Sequence, residues 1–348
     1  GTTLQNKGIM DEFKITPPTD WTDSKSIIKV LGVGGGGCNA VSHMFRQGIT
    51  GCTFIVCNTD RQVLNLSPVP IKIQLGEGLG AGTDPVKGRN AAIDSLEDIK
   101  NVIIDGQTKM LFITTGMGGG TGTGSTPVIA KMAHDEGLLV VGVVTMPFIC
   151  EGSDVRSRAF DGVRELERNV DSMLVINNEK LYNVCGDMLV QEAFPKVDEV
   201  LATAVSSIIG IISTPGHINV DFNDVQTMMR HSGMALMGTG SGKGKDRINE
   251  AVRQAFTSPL LNDFDLKTSR NVLVNITIGR NKNGLTMEDL QKLDSTIAQY
   301  TGGKNNFKRG IVFNDDPDFG DRLEITAIAT GFRLSTFFGM EGQEGNLI

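Results

Sequence analysis

Apolar residues in this chain fall into short, nearly continuous runs separated by longer segments of helical spacing. Runs at 27–33, 53–58, 71–75, 110–115, 138–145 and 172–177 read as strands. Helical patterns occupy 39–47, 84–100 and 155–169. Strands alternating with helices predict an α/β fold, a parallel sheet covered on both faces. A long helix is predicted over 195–213. Its stripe of Val197, Val200, Leu201, Ala204, Val205, Ile208, Ile209 and Ile212 is wide enough to bury most of it. It reads as a spine, stopped by Thr214-Pro215-Gly216. Beyond it, helices at 246–256 and 286–300 mix with strands at 271–278 and 322–329, which predicts a smaller α+β domain. The expected organisation is a flexible tail (1–24), a first domain (25–194), the central helix (195–214), a second domain (215–333) and a Gly-rich tail (334–348).

Glycine punctuates the first domain at three strand ends. The run Gly116-Met117-Gly118-Gly119-Gly120-Thr121-Gly122-Thr123-Gly124 follows the strand at 110–115 and precedes a helix expected from 125, with Pro127 near its first turn. Such a turn aims backbone N–H groups and the positive helix end at one spot, where phosphate fits. The Thr121 and Thr123 hydroxyls are candidate further donors. Gly32-Val33-Gly34-Gly35-Gly36-Gly37 fits G-x-G-x-x-G, and a third segment runs from Gly76 to Gly82. Three such loops suit a nucleotide with several phosphates. The pattern G-x-x-x-x-G-K-[ST] is absent, so a Walker-type NTPase is excluded. A nicotinamide-dependent oxidoreductase built on 27–180 is a rival, with Asp60 as its ribose acid; the lack of a hydride-transfer residue set opposes it. After the spine, Asp221 and Asp224 stand three apart. They can polarise water or hold Mg²⁺, or simply cap a helix running to Arg230; spacing alone favours the cap.

Composition narrows the classes. The 348 residues carry a net charge of −7, so no basic footprint for nucleic acid is expected. One Trp and two Tyr offer little for base stacking. Five cysteines without metal spacing fit a reducing, cytoplasmic setting. No apolar run approaches 18 residues, so no membrane insertion is expected. His43, His134, His217 and His231 are scattered and read as structural or surface residues without a ligand cluster.

The 118–124 run resembles the phosphate loop of the tubulin superfamily. With Gly-Val-Gly-Gly-Gly-Gly-Cys-Asn at 32–39, Asn-Thr-Asp at 58–60, Gly-Leu-Gly-Ala-Gly at 78–82 and Asn-Val-Asp-Phe-Asn-Asp-Val at 219–225, the chain closely resembles the FtsZ family of bacterial cell-division GTPases. The resemblance spans about 27–333, in order. It implies a tubulin-like fold, GTP and GDP as ligands with Mg²⁺ on the phosphates, and assembly head-to-tail into filaments of a mid-cell division ring. It implies that Gly34, Gly35, Gly36, Asn39, Gly82 and Gly118, Gly119, Gly120, Thr121, Gly122, Thr123 and Gly124 line the phosphates and nearby sugar and base. Glu151 is implied on the ribose, Asn178 and Asp198 on the guanine edge, and Phe194 stacked on the base. Asp221 and Asp224 of the next subunit, with Asn219 beside them, are implied to position the attacking water. A filament protein that binds GTP without hydrolysing it is the alternative; retention of both aspartates opposes it.

Three departures stand out. Asp84 takes a place near the phosphates where the family usually has Asn. Val155 stands where an arginine is expected, leaving Arg156 or Arg158 to substitute. The chain ends soon after the second domain, where family members continue into a linker and a terminal peptide; membrane adaptors and other division proteins are implied partners of the full-length protein.

Overall fold

The computed structural model describes residues 27–181, 186–213, 220–258, 260–261 and 264–334. The tail at 1–24, the Thr214-Pro215-Gly216 stop, Asn219 and all but the first residue of the tail at 334–348 lie outside them.

Ten strands form one sheet: β1 (Ile28–Val33), β2 (Thr53–Asn58), β3 (Lys72–Gln74), β4 (Met110–Gly116), β5 (Leu139–Met146), β6 (Ser172–Asn177), β7 (Gly233–Gly242), β8 (Asn271–Gly279), β9 (Asn306–Asn314) and β10 (Leu323–Phe332). Their order is β3-β2-β1-β4-β5-β6-β7-β10-β8-β9. β1 to β6 pair in parallel, and β6 continues the sheet into β7 through Ser172↔Gly233, Met173↔Met234 and Leu174↔Ala235. β10 runs antiparallel to both β7 and β8. The chain leaves β1 towards β2 and β3, then returns to β4 on the other side. This reversal opens a crevice at the carboxyl ends of β1 and β4, where open α/β sheets bind ligands.

Each strand feeds two cores. In β1 every residue is buried, yet Ile28 and Val30 join one apolar cluster and Leu31 and Val33 the other. Ten helices among the described residues cover the faces: α1 (Gly34–Arg46), α2 (Arg61–Leu66), α3 (Pro85–Asp94), α4 (Leu96–Ile103), α5 (Gly120–Asp135), α6 (Ser153–Glu167), α7 (Val190–Ser213), α8 (Phe222–Met229), α9 (Arg247–Phe256) and α10 (Met287–Thr301). The predicted stripe of α7 is buried with Val41 and Met44 of α1, and with Leu273 of β8 and Ile328 of β10. The spine therefore packs across both halves of the sheet.

Several element bounds differ from the hydrophobic pattern. The glycines at 34–37 and 120–124 belong to the first turns of α1 and α5, five residues ahead of the predicted starts at 39 and 125. Pro127 consequently sits inside α5. Ser125 and Thr126 donate their hydroxyls to the Thr121 and Gly122 carbonyls of that helix. The helix expected over 84–100 breaks at Ser95, whose hydroxyl accepts from Gly76 N at 3.0 Å and so leaves the helical path. β7 and β9 escape the pattern altogether. β7 reads as a glycine-rich loop because α9 crosses it too closely for side chains. A methyl group on Gly238 or Gly240 would stand 2.0 Å from Ala255 O or 2.1 Å from Ala251 O.

That crossing supports a stability test. Gly240→Ala is expected to lose about 1–3 kcal/mol in urea denaturation, as overpacked sites do. Gly284→Ala adds a methyl whose nearest neighbour lies at 3.6 Å, and is expected to change stability by less than about 0.5 kcal/mol.

Candidate functional site

Three helices begin at the crevice. α1 starts directly from β1, α5 begins four residues past the end of β4, and α6 follows β5 through the turn at Ile149–Glu151. Their N-cap residues are Val33, Gly119 and Gly152, and none makes a side-chain capping bond. The first N–H groups of a helix have no intrahelical partner, so these ends offer donors and positive potential to an anion. Elsewhere the chain caps with side chains: Asp60 on α2, Asp84 on α3, Asp221 on α8 and Thr286 on α10.

Glycine permits these ends to converge. A methyl on Gly37 would lie 2.2 Å from Thr114 O, and one on Gly122 2.1 Å from the Thr115 hydroxyl. A methyl on Gly124 would lie 1.9 Å from Pro85 O, where α5 packs on α3. Gly34 faces Gly122, and Gly36 faces Gly116, across the same gap. In contrast Gly35, Gly82 and Gly119 are exposed, and a methyl on any of them meets nothing within 4 Å. Gly82 is tied to the loop by Gly120 N, which donates to its carbonyl at 2.9 Å. Asn39 is exposed on α1. Thr121 and Thr123 are buried, and their hydroxyls serve the loop itself. Thr121 pairs with the Thr59 hydroxyl, and Gly118 N donates to Thr123 Oγ1 at 2.8 Å. Thr59 carried no role in the sequence reading; its place in the Asn-Thr-Asp motif is the signal that could have found it.

The two open questions of charge are answered locally. Asp84 accepts from Val86 N at 3.0 Å, so its extra carboxylate rests on the N-terminus of α3, whose dipole favours it. Arg156 is buried and donates to Pro147 O at 3.0 Å, whereas Arg158 Nε donates to Gly118 O at 3.0 Å on the loop. Asp60, the acid a dehydrogenase would use, accepts from Gln62 N and Val63 N as a helix cap.

A second group of residues forms the rim. Glu151 is exposed, with Oε2 accepting from Phe148 N at 2.8 Å. The Phe148 ring lies 5.6 Å from that of Phe194, which is 42% exposed near the start of α7. Asp198 stands one turn further along the same helix face. Burial pushes its carboxyl up to about 7 from the ordinary 3.8. Asn178 follows β6 and is buried, with Oδ1 lacking any hydrogen-bond partner. An unpaired amide oxygen, a desolvated carboxyl and an open aromatic ring are what a planar, hydrogen-bonding base would satisfy.

The acidic pair is elsewhere. Asp221 caps α8, accepting from Asn223 N at 2.8 Å, and Asp224 pairs with Lys308 of β9 at 3.5 Å. Asp221 thus has the capping duty that spacing favoured. Lys308 was not foreseen, because β9 was not. α7, with 24 residues, is about 36 Å long and separates this end from Phe194 and Asp198.

Comparison with known proteins agrees with this architecture. Residues 27–186 match the Tubulin/FtsZ family, GTPase domain, and residues 233–333 the FtsZ family, C-terminal domain. The chain is 43% identical over 323 residues to the cell division protein FtsZ of Porphyromonas gingivalis, covering 91% of this chain and 70% of that protein. It is 46% identical over 310 residues to its counterpart in Pseudomonas putida, covering 88% and 76%. A solved FtsZ dimer from M. jannaschii superposes with a TM-score of 0.82 at 34% identity, covering 94% of this chain and 92% of that one.

The raised carboxyl of Asp198 has a stability consequence. Between about 4 and about 7 the folded chain keeps a proton that the unfolded chain releases, so this group's contribution to stability is lost as pH rises through that window. Asp198→Asn is therefore expected to stabilise the nucleotide-free protein above pH 7 and to leave it unchanged near pH 4, as read by denaturation at both ends.

Proposed function

The chain belongs to the FtsZ family, and from that membership we propose which of its residues do the chemistry. It is a GTP-binding, GTP-hydrolysing cell-division protein that self-associates into filaments. In our reading the phosphates sit over the uncapped N-termini of α1 and α5. They are lined by Gly34, Gly35, Gly36, Asn39, Gly82 and the run from Gly118 to Gly124. Arg158, held on the Gly118 carbonyl, takes the place of the family's displaced arginine in preference to Arg156. Glu151 swings from the Phe148 N–H to the ribose hydroxyls. Phe194 stacks on guanine, while Asp198 accepts from N1–H and the 2-amino group, which adenine lacks. Asn178 completes the edge with its unpaired oxygen. The 25–194 segment binds the nucleotide, α7 connects, and 215–333 supplies the neighbour's catalytic surface.

Magnesium fits this site as a companion of the phosphates, held by their oxygens and by water, since it dehydrates reluctantly and the cradle is lined by backbone donors. It would lower the barrier by neutralising charge on the transferring group.

Asp221 and Asp224 of one subunit, with Asn219 outside the described residues, position the attacking water on the γ-phosphate of the next. The observation that carries this is the length of α7. A helix of about 36 Å lies between the guanine-facing residues and the acidic pair, so one chain does not bring both to one phosphate. Head-to-tail stacking does, by a heterologous contact that does not close. The same reading places the protein in the cytoplasmic division ring, with adaptors and other division proteins as partners of the full-length chain.

Variants test it. Asp221→Asn keeps an N-cap of equal quality, so α8 stays intact. It and Asp224→Ala are expected to bind GTP normally and lose turnover about a hundredfold. Neither Asp221→Asn nor a Gly119→Val protein, whose new side chain fills the open cradle, should hydrolyse well alone. A mixture of the two is expected to recover activity. A mixture no better than its components would overturn the assignment in trans.

A further inference from the structure

The four histidines, scattered along the chain, are not all scattered in space. His134 lies in the last turn of α5, and His231 follows the C-cap of α8. Asp171 immediately precedes β6. One ligand atom from each of these three residues can lie within 4.8 Å of both others. His134 Nε2 is 3.4 Å from Asp171 Oδ1, and His231 Nδ1 is 3.7 Å from the same oxygen. This is the end of the sheet opposite the glycine crevice.

The carboxylate is built into the frame. Asp171 is 1% exposed. Its N–H donates to Val140 O, its carbonyl accepts from Ser232 N, and its Oδ2 accepts from Val140 N at 3.0 Å. Those bonds leave Oδ1 facing the two imidazoles, buried and without a hydrogen-bond partner. A buried carboxylate oxygen with no donor is costly, and needs either a proton donor or a cation. His231 adds a second peculiarity. It is the one non-glycine described residue with positive φ, at 52°, in a post-helical position where glycine is usual.

We propose that His134, Asp171 and His231 form a binding site for a borderline divalent transition ion of the zinc type, separate from the magnesium that accompanies GTP. The two measured separations match the edge of a tetrahedron, about 3.4 Å, formed by ligands about 2.1 Å from zinc. Two imidazole nitrogens and one carboxylate suit zinc, cobalt or nickel and disfavour magnesium and calcium, which take oxygen. A water completes the fourth position.

The site ties together two helices that matter to the reaction. α5 begins at the phosphate loop and ends at His134. α8 begins at Asp221 and Asp224 and ends beside His231. An ion held between them would clamp the acidic helix to the frame of the nucleotide half and raise the stability of the folded chain.

The test is a calorimetric zinc titration of the full chain, saturated with GDP and magnesium so that the nucleotide site is filled. One zinc per chain is expected to bind and to raise the thermal midpoint. The double variant His134→Gln/His231→Asn keeps a residue tolerant of positive φ at 231. It is expected to bind that zinc about a hundredfold or more weaker and to lose the thermal shift. GTP turnover in zinc-free buffer equal to the parent's would show that the variant is folded. Equal stoichiometry and affinity in parent and double variant, or no zinc uptake by the parent at micromolar concentration, would overturn the proposal. Cobalt in place of zinc is expected to give a four-coordinate visible spectrum that the double variant lacks.

Discussion

The nucleotide half rests on how closely α1 and α5 approach the ends of β1 and β4. A methyl at Gly37 or Gly122 would lie within about 2.2 Å of the β4 backbone or the Thr115 hydroxyl. Any side chain there would push a helix away from the crevice. The uncapped N-termini would then no longer face one another, and no phosphate could use both. The exposed glycines at 35 and 119 have the complementary task, since their lack of a side chain leaves room for the ligand rather than for the fold. One residue type thus serves two ends of the same contact, close packing beneath and open space above.

The second constraint is length. α7 is buried along a stripe that runs from the first core residues of the nucleotide half to strands β8 and β10. Being rigid and about 36 Å long, it holds the guanine-facing residues at one end and the acidic pair towards the other. A chain so built has half an active site at each pole. Only a second copy makes it whole, which links turnover to assembly without any separate switch. The His134–Asp171–His231 cluster lies between α5 and α8, the two helices that reach those poles.

Much of this was legible in the chain. The apolar runs marked β1, β2, β4, β5 and β6 to within a residue or two, because strands buried on both faces are continuous in apolar residues. The glycine run announced a phosphate site because it stood between a strand and a helix. What failed did so for tertiary reasons. Glycines 34–37 and 120–124 look like loop, yet they are first helical turns, held by packing on neighbouring backbone. β7 looks like a linker because α9 demands glycine at 238 and 240. The histidines appeared unrelated because 97 residues separate His134 from His231 in sequence (231 − 134), and only the pairing of β6 with β7 brings them to one carboxylate. Arg158 could not be preferred to Arg156 until the helix phase put one in the interior and the other on the loop.

The central claim is that the catalytic centre is shared between two copies. Phosphate release from GTP, measured per protein molecule across a protein concentration series with magnesium present, tests it most directly. The account predicts a threshold concentration above which the rate per molecule rises. Turnover per molecule that is independent of concentration would mean that one chain completes the site alone, and would contradict it.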